Sequence, residues 1–546
     1  MYLGLNSAFM NAKKAETGPL PGSDSQLAKE GAKLSVLTMA SRILGLVRER
    51  TRGGLMGTGM LADSFTVAFN VPNLFRRLFA EGSMSAAFIP TVKLYLSEKE
   101  KEETEDFLSA TFTALSVTVA FVCAVGIAAS PLLTGLFRSE PQETALLMRI
   151  MFPFLALVSL AAFFQGILNS FGIFSPSGFA PILFNLSFIF VPFFIAPLCA
   201  NPARAMAIGV LAGGLLQALC QLPWLVRLGL RFRFVSPLKA FANPGMRRVM
   251  ALIAPTILGM AAYELNGLVS TSLATLSGVG AATALSFSIR LQELVLGVFV
   301  VSVGTVMLPE LSGIAGKKDW QLYKERLGIA LEVIVLITIP LTILSILERN
   351  NIVILVYKTR EFGDASVKLT AGAFLFHMLG LPFIGLNRIL APAFYSRSDA
   401  KTPAWAGIAA VIVNIILAIA MQSSMGAKGI ALALSLASAF NSAILLWRLV
   451  RTGIDGMAHK VLSILLYMLK LLLFSSIAAL PVMLIQARLA MFAASVSSKL
   501  LGHGLAFFVS SLVYAIIGVG LLFISKDPAG AWLLRSFAKK RSRQSV

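Results

Sequence analysis

Residues 70 to 90 read NVPNLFRRLFAEGSMSAAFIP, a run rich in Phe, Leu, Ala and Met that nevertheless carries two adjacent arginines, Arg76 and Arg77. An apolar helix with two guanidiniums is either the end of a buried helix or a membrane span with one face turned away from lipid. The whole chain decides between these. Its 546 residues are 57% apolar and 13% charged, with a mean hydropathy of +0.81, far outside the range of water-soluble domains. A helix crossing the hydrocarbon core needs about 20 mostly apolar residues, and such runs recur along nearly the whole length. The runs are long and continuous, without the ten-residue alternation of a membrane barrel. The fold class expected is an all-α integral membrane protein.

Apolar runs between polar breaks predict about fourteen spans, near 33–56, 60–92, 105–134, 142–171, 178–200, 204–227, 247–272, 280–312, 322–347, 366–396, 402–422, 427–450, 460–486 and 500–525. Lys and Arg gather in alternate loops, among them Lys93, Lys99 and Lys101, then Arg227 to Arg248, then Lys317 and Lys318, then Arg448 to Lys460. That asymmetry sets both termini in the cytoplasm. It also accounts for the net charge of +21 without a nucleic-acid partner. Cys123, Cys199 and Cys220 lie in or at the ends of apolar runs, without the spacing of metal ligands, and read as small packing residues. Paired glycines, as in GVLAGGLLQALC, read as close helix packing. His377 reads as a packing or hydrogen-bonding residue, and the glycine-rich GGLMGTGM lacks the Gly-Lys-Ser/Thr of a nucleotide loop.

ILNSFGIFSPSGFAP (167–181) and ILAPAFYSRSDAKTP (389–403) share letters at an offset of roughly 220 residues, as do SAAFIP (85–90) and GTVMLP (304–309). Duplication of six spans in one orientation implies two bundles related by an axis along the membrane normal. The organisation expected is a polar cytoplasmic tail (1–30), an N-terminal lobe (31–230), a C-terminal lobe (245–455), two extra helices (456–527) and a basic cytoplasmic tail (528–546).

Each Arg at mid-bilayer costs about 2.5 to 3.5 kcal/mol on insertion scales, so several together must face protein or water. At 100° per residue Asp63, Asn70, Arg77 and Glu81 form one stripe of the second span. The first span aligns Ser35, Thr38, Arg42, Gly45, Glu49 and Arg52, with Arg48 at the edge, and the eighth aligns Thr283, Ser286, Arg290, Glu293 and Gly297. Arg42, Arg48, Arg76, Arg77 and Arg290 outnumber the nearby acids Asp63, Glu49, Glu81 and Glu293. An excess of fork-shaped donors suits a phosphate or pyrophosphate. The bland alternative is that each arginine pins helices through its own acid or snorkels to an interface. Glu264, Asn266 and Asn414 form a candidate cation site, for instance for Na+, although a lone Glu in a span is as often a structural partner.

SRILGLVRE, followed by ADSFTVAFNVPNLFRRLFAEGSMSAAFIP, closely resembles the signature of the MurJ (MviN) family, bacterial flippases of the peptidoglycan precursor lipid II. RLQELVLGVFVVSVGTVMLPELS (290–312) and residues 389–403 support it, with Glu49 standing where the family often has Asp. The resemblance implies a fourteen-helix member of the multidrug, oligosaccharidyl-lipid and polysaccharide exporter superfamily, in the inner membrane. It implies a cationic site in which Arg42, Arg48, Arg76, Arg77 and Arg290 receive the pyrophosphate and sugar of an undecaprenyl-linked disaccharide-pentapeptide, with Asp63, Asn70, Glu81 and Glu293 in support. The two extra spans would hold the polyprenyl tail among membrane lipids. The activity expected is transport by alternating access, without enzyme chemistry or a cofactor, driven by the membrane potential or a coupling cation. Cell-wall synthesis enzymes are candidate added partners. The rivals are a cation-coupled drug exporter, which the arginine excess disfavours, and a polyprenyl-pyrophosphate enzyme, for which no Asp-rich metal cluster or positioned His is seen near the arginines.

Overall fold

The computed structural model describes residues 23–78, 87–299 and 301–527. Glu81 and the terminal stretches 1–22 and 528–546 lie outside the described residues. The chain is all-α. Its contacts divide it into two compact units, residues 1–282 and 283–546.

The first unit contains α1 (Ser23–Met56), α2 (Met60–Arg76), α3 (Ile89–Glu98), α4 (Lys101–Leu133), α5 (Pro141–Ser170), α6 (Ser175–Ile195), α7 (Pro202–Leu219), the short α8 (Leu222–Leu228) and α9 (Pro237–Ala242), and α10 (Pro244–Ser277). Several starts follow from local chemistry. Asn201 caps α7 by accepting from the Arg204 N–H, and Asn243 caps α10 by accepting from Gly245 and Met246 N–H groups. Pro202 and Pro244 follow them at the first helical position, where a missing N–H costs nothing. The core packs α2 on α5, α6 and α7 through Phe65, Val71, Met151, Phe154, Phe188 and Val210. Glycines admit these rings: an added Cβ on Gly213 would meet Phe184 at 2.7 Å, and one on Gly214 would meet Phe154 at 2.7 Å. The paired glycines of α7 therefore do the close packing that the sequence suggested.

The second unit contains α11 (Ala281–Phe299), α12 (Val301–Gly316), α13 (Trp320–Leu347), α14 (Arg349–Tyr357), α15 (Asp364–Leu379), α16 (Leu381–Tyr395), α17 (Lys401–Met425), α18 (Ala427–Val450), α19 (Met457–Ser495) and α20 (Lys499–Ile524). Asp319 caps α13 through the Leu322 N–H. The span predicted over 366–396 is two helices, α15 and α16, bent by 43°. The bend sits at Gly380, whose Cα packs against Ser435 and which is followed by Pro382. The extra helices α19 and α20 pack on each other and on α13, and the Tyr514 hydroxyl donates to the Pro340 carbonyl.

Among the described residues nine helices are long and apolar enough to cross a membrane, ten when α15 and α16 count as one span. The other four of the fourteen expected spans are α1, α2 with α3, α10, and α11 with α12. Three of these four carry the arginines in question, and α10 carries Glu264.

The duplication is visible in the backbone. Lys101 and Trp320 open corresponding helices 219 residues apart, and Ser175 and Lys401 open another pair 226 apart. The α5–α6 turn has Gly172 at φ 75° with Gly172 N–H to Asn169 O and Ile173 N–H to Leu168 O; the α16–α17 turn repeats this with Ser398 at φ 60°, Ser398 N–H to Tyr395 O and Asp399 N–H to Phe394 O. These helix ends superpose at an offset of 226. The shared letters Ile-Leu and Pro fall at 222, so they are one helical turn out of register with the backbone that repeats. Ser398, unlike Gly172, bears a side chain in the left-handed region, and the turn is held by Asp399, which accepts from the Thr402 N–H at 3.0 Å and hydroxyl at 2.6 Å. That hydroxyl keeps the Asp399 carboxyl below the usual carboxylate range.

The division at 282/283 groups α10 with the first unit, whereas the sequence reading opens the second lobe there. Within that unit α10 packs on α4 and α9 through Met246 and meets α2 along a polar seam, described below.

Close backbone approach sets one stability test. A Cβ on Gly429 would lie 2.5 Å from the Met421 carbonyl oxygen in the α17–α18 hairpin, where backbone cannot yield. Gly429→Ala is expected to cost about 1 to 3 kcal/mol and to lower the thermal midpoint of the detergent-solubilised protein. Gly407→Ala, whose added methyl meets open space, should leave it unchanged in the same fluorescence-detected unfolding assay.

Candidate functional site

Two polar residues of α2, Asp63 and Asn70, and Arg77 just past its end face α10 and the turn that follows it. The Asp63 carboxylate accepts from the Gly280 N–H at 2.7 Å, Asn70 donates to the Thr271 hydroxyl at 3.2 Å, and the Arg77 guanidinium meets both Glu264 oxygens, at 2.9 and 3.2 Å. Positions 63, 70 and 77 step by seven, two helical turns, while 264 and 271 step by seven in the opposite direction. The helices therefore run antiparallel with matched register. Periodicity found this stripe from sequence, and the structure supplies its counterpart on α10. Asp63, expected as an acidic companion of the arginines, is 1% exposed and ties the α10–α11 turn to α2. Gly280 suits that turn, with φ 82° and the Thr58 carbonyl oxygen where a Cβ would stand.

Arg77 keeps 30% of its side chain exposed against 12% for Glu264, so the pair has a face open to solvent or ligand. It lies just beyond the end of α2, where residues 77–78 take a π-helical turn. Arg76 folds back on its own helix, its Nε donating to the Asn73 side-chain oxygen at 2.7 Å. Glu264, one of the candidate cation ligands, is thus engaged by a guanidinium. Asn266, its neighbour in that set, is buried on α10 of the first unit; Asn414 is buried on α17 of the second.

Arg48 is seated differently. Its guanidinium donates to Glu49 at 2.8 Å and to the Asn185 side-chain oxygen at 3.1 Å, and lies 5.7 and 5.3 Å from the ring centroids of Phe184 and Phe188. Arg52 stands 3.3 Å from the other Glu49 oxygen, and the Asn185 amide donates to the Ser41 carbonyl at 3.0 Å. Only 14% of the Arg48 side chain is exposed. The Asn185 amide and two π faces fix α1 against α6, while Glu49, the neighbouring residue on α1, orients the guanidinium. Sequence periodicity put Arg48 at the edge of the α1 stripe but did not reveal this seat, although Asn185, a lone amide in an apolar run, was its available signal.

Arg42 lines a cavity of about 220 Å³ where α1 meets the α5–α6 turn. Its wall includes Ser41, Gln165, Asn169, Phe174 and Ser177. Gln165 and Asn169 were not singled out by sequence reasoning, because two amides one turn apart at a helix end look like an ordinary terminus.

In the second unit Arg290 contacts Glu293 at 2.6 Å, one turn along α11, with 35% and 47% of the two side chains exposed. The opposite face of α11 is anchored: Ser288 is 2.6 Å from His377 Nδ1, and the Gln292 amide donates to the His377 carbonyl. Thr283, placed by periodicity on the Arg290 stripe, is fully buried instead. The site residues thus fall into three settings: a seam holding Asp63, Asn70 and Arg77, a locked Arg48, and Arg42 and Arg290 on accessible faces. Guanidiniums with one face open bind oxyanions.

Residues 54–504 match the family described as Lipid II flippase MurJ. A probable lipid II flippase MurJ of Treponema pallidum (strain Nichols) is 43% identical over 520 residues, covering 94% of this chain and 99% of that protein. A lipid II flippase MurJ of Burkholderia cenocepacia is 32% identical over 430 residues, covering 77% of this chain and 83% of its own length. A solved structure titled lipid II flippase MurJ, inward closed conformation, superposes with a TM-score of 0.73 at 25% identity, covering 90% of this chain and 98% of that one. An inward-facing multidrug resistance MATE transporter of the MOP superfamily, at 14% identity and a TM-score of 0.63, covers 78% of this chain and 98% of its own and shares the fold. The chain, a multi-pass membrane protein, belongs to the lipid II flippase MurJ family.

Proposed function

We propose that the chain moves lipid II, an undecaprenyl-pyrophosphate disaccharide-pentapeptide, from the inner to the outer leaflet of the bacterial inner membrane by alternating access. The observation that carries this reading is 43% identity over 94% of the chain to a probable lipid II flippase. The arginine settings give it a physical form. The donors assigned to the pyrophosphate are the guanidiniums of Arg42, Arg76, Arg77 and Arg290, with Arg48 holding α1 in place. Glu264 and Glu293 are the resting counter-ions, and an arriving phosphate replaces one anion with another at each guanidinium. This exchange avoids leaving a charge bare, which inside a protein costs several kcal/mol, roughly 3 to 5 when one partner is removed.

Alternating Lys and Arg loops place both termini in the cytoplasm. Export of negative charge down an inside-negative potential gains about 2.3 kcal/mol per charge per 100 mV, and the potential is the energy source we assign. A cation held by Glu264 would have to displace Arg77, so the Na+ reading at that residue loses support. The drug-exporter reading keeps only the shared fold of the MATE structures, since a binding surface built from guanidiniums repels organic cations.

Transfer is measured in liposomes with fluorescent lipid II and an external reagent that reports sidedness. Arg77→Ala and Arg290→Ala should each slow it at least about tenfold, the effect of losing a charge-assisted hydrogen bond of roughly 1.5 to 3 kcal/mol. Full-rate transfer by folded Arg77→Ala protein would refute the assignment of the phosphate site. The seam has its own test, a double-mutant cycle on thermal unfolding in nanodiscs. Glu264→Gln should destabilise, Arg77→Ala should relieve part of that loss in the double variant, and the coupling should be about 1 to 3 kcal/mol; strict additivity would mean the pair does not form in the membrane.

A further inference from the structure

We propose that the cavity where α1 meets the α5–α6 turn is a saccharide subsite, in which Gln165 and Asn169 bind the hydroxyl or acetamido groups of a single sugar ring. This rests on the flippase reading and adds to it a part of the substrate other than the pyrophosphate. Its volume of about 220 Å³ is roughly seven times the 30 Å³ share of a water molecule, and below the 300 Å³ or so at which drug-sized pockets begin. One pyranose fits that interval.

The lining chemistry separates a sugar from a phosphate. A phosphate presents only acceptors and wants a surplus of donors and positive charge. Apart from Arg42, the polar wall is made of groups that both donate and accept: the Gln165 and Asn169 amides and the Ser41 and Ser177 hydroxyls. Adjacent sugar hydroxyls, each donor and acceptor at once, match paired amides. Gln165 and Asn169 are four residues apart on α5, so their amides leave one face of the helix together. The Asn169 oxygen accepts from the Ser177 hydroxyl at 2.9 Å, which fixes the amide and directs its NH₂ donors elsewhere. Gln165 makes no hydrogen bond to any described residue, so its whole amide is available. The Phe174 ring adds an apolar wall for the C–H face of a pyranose. On the assigned topology the α5–α6 turn is cytoplasmic, the side from which the headgroup enters, and Arg42 stands on the same wall.

The test compares two lipids with the same anchor and pyrophosphate: lipid II, and undecaprenyl pyrophosphate, which has no sugar. Binding to the full-length protein in nanodiscs is read by native mass spectrometry. Gln165→Ala, chosen because it breaks no internal hydrogen bond, should weaken lipid II about tenfold and leave undecaprenyl pyrophosphate within twofold; Gln165→Ala/Asn169→Ala should widen the gap. Arg77→Ala should weaken both lipids. Unchanged lipid II affinity in the folded Gln165→Ala protein, or an equal loss for both lipids, overturns the subsite while leaving the flippase reading intact. Failure of the folded wild-type protein to bind lipid II overturns the flippase reading, and the subsite with it.

Discussion

A guanidinium on a membrane span must be answered by the protein, because lipid offers it no hydrogen-bond acceptor and the cost of leaving it unanswered exceeds any gain from packing. In this chain that requirement sets which helices go together. The Arg77–Glu264 pair, with Asn70–Thr271 and Asp63–Gly280 in register, binds α10 to α2 within the first unit. Arg48, oriented by its neighbour Glu49, binds α1 to α6 by an amide and two phenyl faces. Apolar packing, through rings such as Phe154 and Phe184 seated on Gly214 and Gly213, fills the space these contacts define. In a bilayer such packing competes against equally apolar lipid tails, so it stabilises through close contact more than through the hydrophobic effect.

Duplication supplied two copies of one backbone plan and left their charges different. The α5–α6 and α16–α17 turns close with the same pair of hydrogen bonds, one on Gly172 and one on Ser398. Yet α1 carries Arg42 and Arg48, while α10, its counterpart at the head of the second copy, carries Glu264 and Asn266.

Much of this was legible in the residues. Span positions followed from run length, because hydrocarbon thickness fixes the number of apolar residues a helix needs. The stripe of Asp63, Asn70 and Arg77 followed from a period of 3.6. What could not be read was the partner of each stripe, since periodicity on one helix says nothing about which other helix faces it. Glu264 therefore reads from sequence as a candidate cation ligand, although its spacing from Thr271 mirrors that of Arg77 from Asn70. The Arg48 seat was hidden for the same reason, its acceptor Asn185 lying 137 residues away. The bend at Gly380 was hidden because Gly-Leu-Pro within an apolar run is compatible with a straight span whose proline is accommodated by its neighbours. Gln165 and Asn169 went unremarked because neutral amides at a helix end carry no charge signal.

A carrier must release its anion as well as bind it, and this bears on why the arginines are not bare. A cluster of unanswered guanidiniums would hold a pyrophosphate tightly, and the tightly bound state would then be the slow step of transport. Arg77 is paired with Glu264 and Arg290 with Glu293, and on the proposed reading anion binding at each is an exchange between two oxyanions, with a net change much smaller than either contact alone. The remaining exposure of both arginines, about a third of each side chain, is what the exchange requires: enough open edge for a phosphate oxygen to approach before the carboxylate leaves. Arg48, almost enclosed, lacks that edge, and its place in the cycle on this reading is to keep α1 fixed while the other guanidiniums change partners.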